Sequence, residues 1–158
     1  ELRCGEVKTF VDINKHLLTS ERKEAHDTIF DLLSCERGGI FFLDAPGGTG
    51  KTFLINLLLS EIRENNEIAI AVKSSGIAST LLDGGRTAHS ALQLPINLAQ
   101  TETPLPINLA QTETPVCNIS KGSGKSKILK SCSILVWDEC TMMHKKGLEA
   151  LDRTMKDL

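Results

Sequence analysis

Short apolar runs alternate along this chain with stretches in which apolar residues recur at helical spacing. This alternation is typical of an α/β domain, in which helices cover the faces of a parallel sheet. Because buried parallel strands are apolar throughout, the runs predict three strands, at about residues 40–45, 68–72 and 134–138. The pattern therefore predicts an α/β fold with a parallel sheet flanked by helices.

Helices are predicted before, between and after these runs. Ser20 is a suitable N-cap for a one-faced apolar helix that ends before residues 38–39, both glycine. The helix over residues 53–62 is apolar nearly all round, as expected for a helix buried beneath a sheet. A short helix is predicted over residues 77–82. A terminal amphipathic helix has its apolar positions at Met143, Leu148, Leu151, Met155 and Leu158.

The first apolar run leads into a glycine-rich turn over residues 45–52, and a helical pattern follows it. Strand, glycine-rich loop and helix in this order are typical of a phosphate-binding P-loop. The flexible glycines let successive backbone N–H groups point at phosphate oxygens, and the helix dipole adds positive potential there. Lys51 can reach the β- and γ-phosphates, and the Thr52 hydroxyl can ligate Mg²⁺. The predicted nucleotide-binding residues of this loop are Gly47, Gly48, Thr49, Gly50, Lys51 and Thr52.

The third apolar run ends in an acidic pair, Asp138 and Glu139. A P-loop ATPase needs such a pair on a strand beside the P-loop strand. Asp138 would bind nucleotide-coordinated Mg²⁺ through water, and Glu139 would orient and deprotonate the attacking water. Lys51 and Glu139 are therefore the predicted catalytic residues. The alternatives are an ordinary glycine-rich turn and an acidic strand end that faces solvent.

Composition and charge narrow the class of protein. The 158 residues suit one α/β domain with a core, but are few for a complete molecular motor. The net charge of −2 means that DNA binding would need a local basic patch rather than a global field. No apolar stretch approaches the length of a membrane span, so no membrane partner is expected. The five cysteines include no C-x-x-C pair, which favours a reducing intracellular compartment over a disulfide framework or a zinc site.

A direct repeat interrupts the domain, because residues 94–104 recur without change as residues 105–115. Two copies are too few for a solenoid, and the prolines in each copy exclude a helix interior or a central strand. We interpret residues 94–115 as a duplicated loop insertion, which costs little chain entropy in a surface connection. An artefact of gene prediction would look the same.

Three stretches resemble motifs of the Pif-type (petite integration frequency) DNA helicases, especially those carried by Helitron rolling-circle transposons. Residues 41–52 resemble motif I, residues 75–82 with 84–90 are similar to the motif Ia region, and residues 136–142 resemble motif II. The resemblance covers nearly the whole chain from about residue 18. Motif I alone is shared by many ATPases, whereas its combination with the stretch over residues 84–90 is more specific.

The resemblance implies a RecA-like ATPase domain of a motor that uses ATP and Mg²⁺, moves 5′ to 3′ on single-stranded DNA and unwinds duplex DNA. Such motors act in DNA replication, recombination, repair or telomere maintenance, and the resemblance alone suggests a nuclear location. By the same resemblance, the DNA-contacting residues would be Ser75, Gly76, Arg86, Thr87 and His89. For His89, a hydrogen-bonded structural histidine is an equal alternative to a DNA contact.

The chain departs from the family pattern in two ways that bear on function. The glutamine with which the family senses adenine falls at Arg22, which leaves adenine selectivity open. The sequence also stops before the family's sensor motif and second ATPase domain, which supplies the arginine finger. We therefore expect residues 1–17 to be an extension and residues 18–158 to be a first helicase domain, a fragment that binds ATP and hydrolyses it poorly.

Two other functions share the P-loop. One is a hydrolysis-deficient remnant of a transposon protein, which would bind ATP without moving along DNA. The other is a small-molecule kinase, which is disfavoured because no basic cluster for a lid follows Asp138 and Glu139. Turnover stimulated by single-stranded DNA would indicate a motor, whereas phosphoryl transfer to a metabolite would indicate a kinase.

Overall fold

The computed structural model of the protein describes residues 4–35, 38–75, 82–95 and 115–158. Within these ranges the strands are β1 (Ile68–Lys73), β2 (Arg86–Thr87) and β3 (Cys132–Asp138). The helices are α1 (Cys4–Lys15), α2 (Ser20–Ser34), α3 (Lys51–Glu64), α4 (Ala88–Leu92), α5 (Gly124–Lys130) and α6 (Lys145–Asp157). A single 3₁₀ turn, Cys140–Met142, lies between β3 and α6.

The three described strands form one parallel sheet in the order β2-β1-β3. Lys73, the last residue of the central strand β1, is in register with Thr87 of β2 and with Asp138 of β3. Parallel strands require crossover connections, and α4 and α5 lie in the connection between β2 and β3. The parallel sheet with flanking helices confirms the predicted α/β fold class.

Side chains of β1 and β3 alternate between two apolar clusters, one on each face of the sheet. On one face Ala71 packs with Ile55 and Leu59 of α3. On the other face Val72 packs with residues from α4, α5 and α6. Coverage of both faces explains why the strands are apolar throughout rather than alternating.

Helix α3 is buried on two sides. It packs against β1 on one side and against α1 on the other, and all six of its leucines and isoleucines are buried. This position explains its nearly all-round apolar sequence. Helix α1, in which Val11 is buried, was not predicted from the sequence, because the apolar pattern of residues 1–17 is weak.

Two local predictions are wrong in the structure. Residues 40–45 form no strand, and Ile40 and Phe42 are 94% and 71% exposed. A strand depends on hydrogen bonds from a neighbour, and within the described residues β3 pairs with β1 alone. The third strand is instead β2, whose two residues are too few to produce a recognisable apolar run. The N-cap of α2 is Thr19, so that Ser20 is the first helical residue.

The other predicted elements have clear outcomes. Two predicted strands are confirmed, the one at 68–72 as β1 and the one at 134–138 as β3. The predicted helices that begin at about Ser20, that span residues 53–62 and that end the chain are confirmed as α2, α3 and α6, respectively. Residues 77–81 of the predicted helix over 77–82 and residues 96–114 of the repeat over 94–115 lie outside the described residues. Among the described helices, none is long and apolar enough to cross a membrane.

Candidate functional site

The glycine-rich loop over residues 45–50 has the backbone conformation of a ligand cradle. Gly48 and Gly50 have φ angles of 78° and 80°, which favour glycine because a Cβ atom is crowded in this region. A Cβ atom built on Gly47 or Gly48 meets nothing within 4 Å among the described residues. The loop backbone is therefore open to a ligand at these two positions.

Helix α3 begins directly after this loop, and its N-terminus is not capped by a side chain. The N-cap is Gly50, and the first turn contains no acidic residue. The first N–H groups of a helix lack intrahelical partners and carry the positive end of the helix dipole. An anion such as a phosphate can therefore bind these N–H groups.

Lys51 folds back over the loop. Its Nζ donates hydrogen bonds to the carbonyl oxygens of Ala45 and of Pro46, the latter at 3.1 Å. The Thr49 hydroxyl donates to the same Pro46 oxygen at 2.8 Å. Thr52 is half-buried in the first turn of α3. The loop thus closes around the ammonium group of its own lysine, which adds a positive charge beside the helix N-terminus.

Arg22 of α2 contacts the loop from outside. Its Nε donates a hydrogen bond to the Thr49 carbonyl oxygen at 2.9 Å. A Cβ atom on Gly50 would lie 2.7 Å from Arg22 Nη2, so glycine leaves room for the guanidinium. Helix α2 is joined to α3 by His26, whose Nε2 lies 2.9 Å from Glu61 Oε2. The position at which the resemblance expects glutamine therefore lies against the P-loop, with arginine in its place.

The carboxyl ends of β1 and β3 bring a lysine to the predicted acidic pair. Lys73 Nζ lies 2.8 Å from Asp138 Oδ2, and the two side chains are 2% and 16% exposed. The other oxygen of Asp138, Oδ1, accepts a hydrogen bond from the Glu139 N–H at 3.0 Å. Both oxygens of this carboxylate are therefore already engaged by donors of the chain.

A second set of bonds joins the same two strand ends through Ser74. The Ser74 hydroxyl donates to the Glu139 carbonyl oxygen at 2.7 Å and accepts from Trp137 Nε1 at 3.2 Å. Glu139 itself has φ 55° and ψ 33°, a left-handed conformation that is uncommon outside glycine and frequent at functional sites. These bonds hold Glu139 in that conformation at the carboxyl end of the sheet.

Sequence reasoning missed Lys73, which directly follows the predicted strand over residues 68–72. The structure makes it the final residue of β1 and one of the largest fully buried side chains among the described residues. A lysine is almost never fully buried without a partner. A lysine at the end of an apolar run was the available signal, but its partner depends on the strand register.

The described residues fit nucleotide phosphates better than they fit Mg²⁺. Open glycines, an uncapped helix N-terminus and the ammonium of Lys51 suit a polyphosphate. Mg²⁺ requires oxygen ligands in near-ideal octahedral geometry. Thr52 offers a hydroxyl there, but Asp138 offers a carboxylate that Lys73 and Glu139 already occupy.

The predicted DNA-contacting residues gather at one end of the sheet. Arg86 and Thr87 form β2, and exposed His89 follows in α4. Thr87 and His89 line an open groove of about 810 Å³. His89 is exposed, and the choice between a DNA contact and a hydrogen-bonded structural histidine stays a prediction. Ser75 is exposed at the end of β1, and Gly76 lies outside the described residues.

The P-loop and the acidic pair, the two halves of the predicted ATPase site, are held by different contacts. Thr87, Lys73 and Asp138 lie side by side across the three strands. Among the described residues, no hydrogen bond or ion pair joins the P-loop to Asp138 or Glu139. The P-loop is instead attached to α2 through Arg22, and the acidic pair is attached to β1.

Neither the cysteine thiols nor a cluster of potential metal ligands forms a second site among the described residues. Burial raises the pKa of Cys117 and Cys132, as expected for small buried hydrophobic side chains. Cys35 is exposed. Within the described part of the chain, no cluster of three or more histidine, cysteine, aspartate or glutamate residues could hold a metal ion.

Comparison with known proteins gives one family. Residues 17–158 match a family model described as PIF1-like helicase. The chain is 24% identical over 136 residues to ATP-dependent DNA helicase PIF4 of Trypanosoma brucei brucei, which covers 85% of the chain. It is 28% identical over 131 residues to ATP-dependent DNA helicase Pif1 of a Psychrobacter species, which covers 83% of the chain.

A viral protein gives a similar match. Uncharacterized protein 030L of Invertebrate iridescent virus 6 is 31% identical over 122 residues, which cover 77% of the chain. The matched regions are 14%, 18% and 21% of the PIF4, Pif1 and 030L proteins, respectively. The chain therefore spans a small part of each of these relatives.

Proposed function

Because the chain belongs to the PIF1-like helicase family, we propose that residues 18–158 form the first, RecA-like ATPase domain of an ATP-dependent DNA helicase. Two of the matched relatives are named as ATP-dependent DNA helicases. The whole-protein activity would be ATP hydrolysis coupled to movement along single-stranded DNA and to unwinding of duplex DNA. This chain would supply the nucleotide site and part of the DNA surface.

The observation that carries the proposal is the open glycine loop at the N-terminus of α3. Gly48 and Gly50 have the left-handed backbone that directs N–H groups inward, and Lys51 adds a positive charge. Arg22 braces the loop from α2. In the proposed complex the loop N–H groups and Lys51 bind the β- and γ-phosphates, and Glu139 orients the attacking water.

The proposed DNA surface is the groove beside β2. Thr87 and His89 line it, and exposed Arg86 precedes Thr87 in β2. Because Thr87 is two strands away from Asp138, the two positions are about 10 Å apart across the sheet. A shift of β1 on nucleotide binding would therefore reach this groove directly.

The finer parts of the proposal depend on the motif resemblance. They are 5′-to-3′ polarity, a role in DNA replication, recombination, repair or telomere maintenance, a Helitron transposon origin, and a nuclear location. The proposal also includes a second ATPase domain supplied by a longer protein. It is supported by the small part of each relative that this chain spans, at most 21%. An arginine finger from such a domain accelerates phosphoryl transfer by about 10³–10⁵ in analogous systems.

Binding of a fluorescent, non-hydrolysable ATP analogue to the full chain tests the phosphate assignment. Lys51→Ala should weaken affinity about 10- to 100-fold, since a charge-assisted hydrogen bond contributes about 1.5–3 kcal/mol. Lys23→Ala is the control, because Lys23 is exposed on α2. Equal affinity of Lys51→Ala and the native chain would refute the assignment.

Fluorescence anisotropy of a labelled single-stranded oligonucleotide tests the DNA surface. Arg86→Ala should weaken binding and reduce the slope of log affinity against log salt by about 0.7, the value for one lost phosphate contact on a single strand. Lys156→Ala is the control, because Lys156 pairs with Asp152 on α6. An unchanged salt slope in Arg86→Ala would remove this residue from the DNA surface.

A hydrolysis-deficient nucleotide-binding protein is the second candidate function. The ion pair of Lys73 and Asp138 favours it, because the pair engages the carboxylate that would coordinate Mg²⁺. ATP turnover by the full chain, with and without single-stranded DNA, distinguishes the two. DNA-stimulated turnover favours the motor domain, whereas tight binding without turnover under both conditions favours the second candidate.

A further inference from the structure

The buried ion pair at the end of the sheet concerns the metal ion of the proposed nucleotide site. Lys73 is 2% exposed, and its Nζ lies 2.8 Å from Asp138 Oδ2. Asp138 Oδ1 accepts the Glu139 N–H. The strand register aligns Lys73 with Asp138, so the contact follows from the sheet and not from a chance surface rotamer.

An ammonium group and Mg²⁺ compete for the oxygens of the Asp138 carboxylate. Mg²⁺ binds oxygen at about 2.0–2.1 Å and keeps its own ordered waters. With Lys73 in place, its ammonium would lie only a few ångströms from such an ion, where two like charges repel strongly in a partly buried site. Water-mediated coordination by Asp138 Oδ2 would also need the position that Nζ occupies.

The Lys73 ammonium also has few other positions available. Its side chain is enclosed, so that movement into solvent would require local opening of the sheet end. A buried charge that leaves its partner loses both the ion pair and the hydrogen bond. The pair is therefore a persistent feature of the nucleotide-free protein.

We propose that Lys73 is an internal counter-ion that competes with Mg²⁺ for Asp138, so that Mg²⁺ adds little to nucleotide affinity in the native chain. The proposal rests on the proposed nucleotide site at the P-loop. It predicts a specific gain of function, because removal of the ammonium should release Asp138 for the metal. Lys73 would then set the metal dependence of the site without contacting the P-loop.

Affinity for a non-hydrolysable ATP analogue, measured with millimolar Mg²⁺ and with EDTA, tests the proposal on the full chain. The ratio of the two affinities should be below about threefold in the native chain and rise about tenfold or more in Lys73→Met. Lys73→Arg keeps the charge and should resemble the native chain. Lys125→Met is the matched control, because Lys125 bonds only the Ser90 carbonyl oxygen among the described residues.

A second comparison establishes that the gain acts through Asp138. Addition of Asp138→Asn to Lys73→Met should abolish the increased Mg²⁺ dependence. Lys73→Gln replaces the ammonium with a neutral donor. This variant takes the place of Lys73→Met in the measurements if circular dichroism shows that Lys73→Met is unfolded. A native chain whose nucleotide affinity depends strongly on Mg²⁺, with no increase in Lys73→Met or Lys73→Gln, would overturn the proposal.

Direct Mn²⁺ binding separates this proposal from the proposed nucleotide site. Electron paramagnetic resonance of Mn²⁺ without nucleotide should show about tenfold tighter binding to Lys73→Met or Lys73→Gln than to the native chain. Absence of that gain would refute competition at Asp138 whether or not nucleotide binds. If no variant binds the ATP analogue but the Mn²⁺ gain appears, the nucleotide site fails and the competition stands.

Discussion

Arg22 donates the hydrogen on its Nε to the carbonyl oxygen of Thr49 at 2.9 Å. This bond joins α2 to the glycine-rich loop across 27 positions of sequence. The guanidinium also lies 2.7 Å from the position of a Cβ atom on Gly50, so it packs against the loop at its left-handed residue. The loop conformation is therefore determined jointly by its own glycines and by a neighbouring helix.

Removal of this support should weaken nucleotide binding. Arg22→Ala should lower affinity for the ATP analogue about tenfold, since a hydrogen bond from a charged donor contributes about 1.5 kcal/mol. Isothermal titration calorimetry measures the change, and Glu21→Ala on the exposed face of α2 is the control. Equal losses in both variants would indicate a general effect on α2 rather than on the loop.

Arginine at position 22 should also make base recognition weak. A guanidinium has donors only, and cannot accept a hydrogen bond from the amino group of adenine. One of these donors is already bonded to Thr49. We expect ATP and GTP analogues to bind within about threefold of each other, less than one discriminating hydrogen bond would produce. Competition binding measures this ratio, and a strong preference for ATP would show that another group reads the base.

Glu139 should act in hydrolysis and not in binding. Glu139→Gln keeps the side-chain shape and removes the base, so ATP affinity should stay within about twofold while turnover falls about 10²-fold or more. The measurement requires detectable ATP turnover. If the chain alone hydrolyses ATP too slowly, it is made with single-stranded DNA and with a longer protein that supplies the second ATPase domain. Equal loss of binding and turnover would count against the assignment of Glu139 as the base.

The Thr154 hydroxyl should stabilise the fold. Thr154 is buried, and its Oγ1 accepts the Cys117 N–H at 2.9 Å and donates to the Ala150 carbonyl oxygen at 2.7 Å. Thr154→Val leaves the buried N–H unpaired and should lower the free energy of unfolding by about 1–3 kcal/mol. Thr154→Ser keeps the hydroxyl and should cost less. Urea denaturation compares the two, and an equal loss would attribute the effect to packing.

The buried thiols should make stability fall in alkaline solution. Burial raises the pKa of Cys117 and of Cys132 above the ordinary value of 9.0. A group with a raised pKa in the folded state binds more protons there than in the unfolded chain, so this part of the stability is complete below pH 9.0 and lost as pH rises through the folded pKa. Cys117→Ala with Cys132→Ala should flatten that fall above pH 9.0. An unchanged slope would assign the alkaline loss to other groups.

The sequence by itself determined the features that depend on local pattern. Glycines at 48 and 50 are needed where the backbone has positive φ, and the helix after them is apolar because it is buried on two sides. The β1 and β3 runs are apolar because both faces of the sheet are covered. Such signals lie within a few neighbouring residues and can be recognised without knowledge of the fold.

Only the tertiary structure decided which distant residues meet. Lys73 and Asp138 are partners because β1 and β3 pair in one register, and a shift of one residue would separate them. Arg22 reaches Thr49 because α2 packs beside α3. The apolar run at 40–45 is irregular because a strand exists only with a hydrogen-bonded neighbour, which local sequence does not specify. Pairing across the chain is therefore the information that the folded molecule adds.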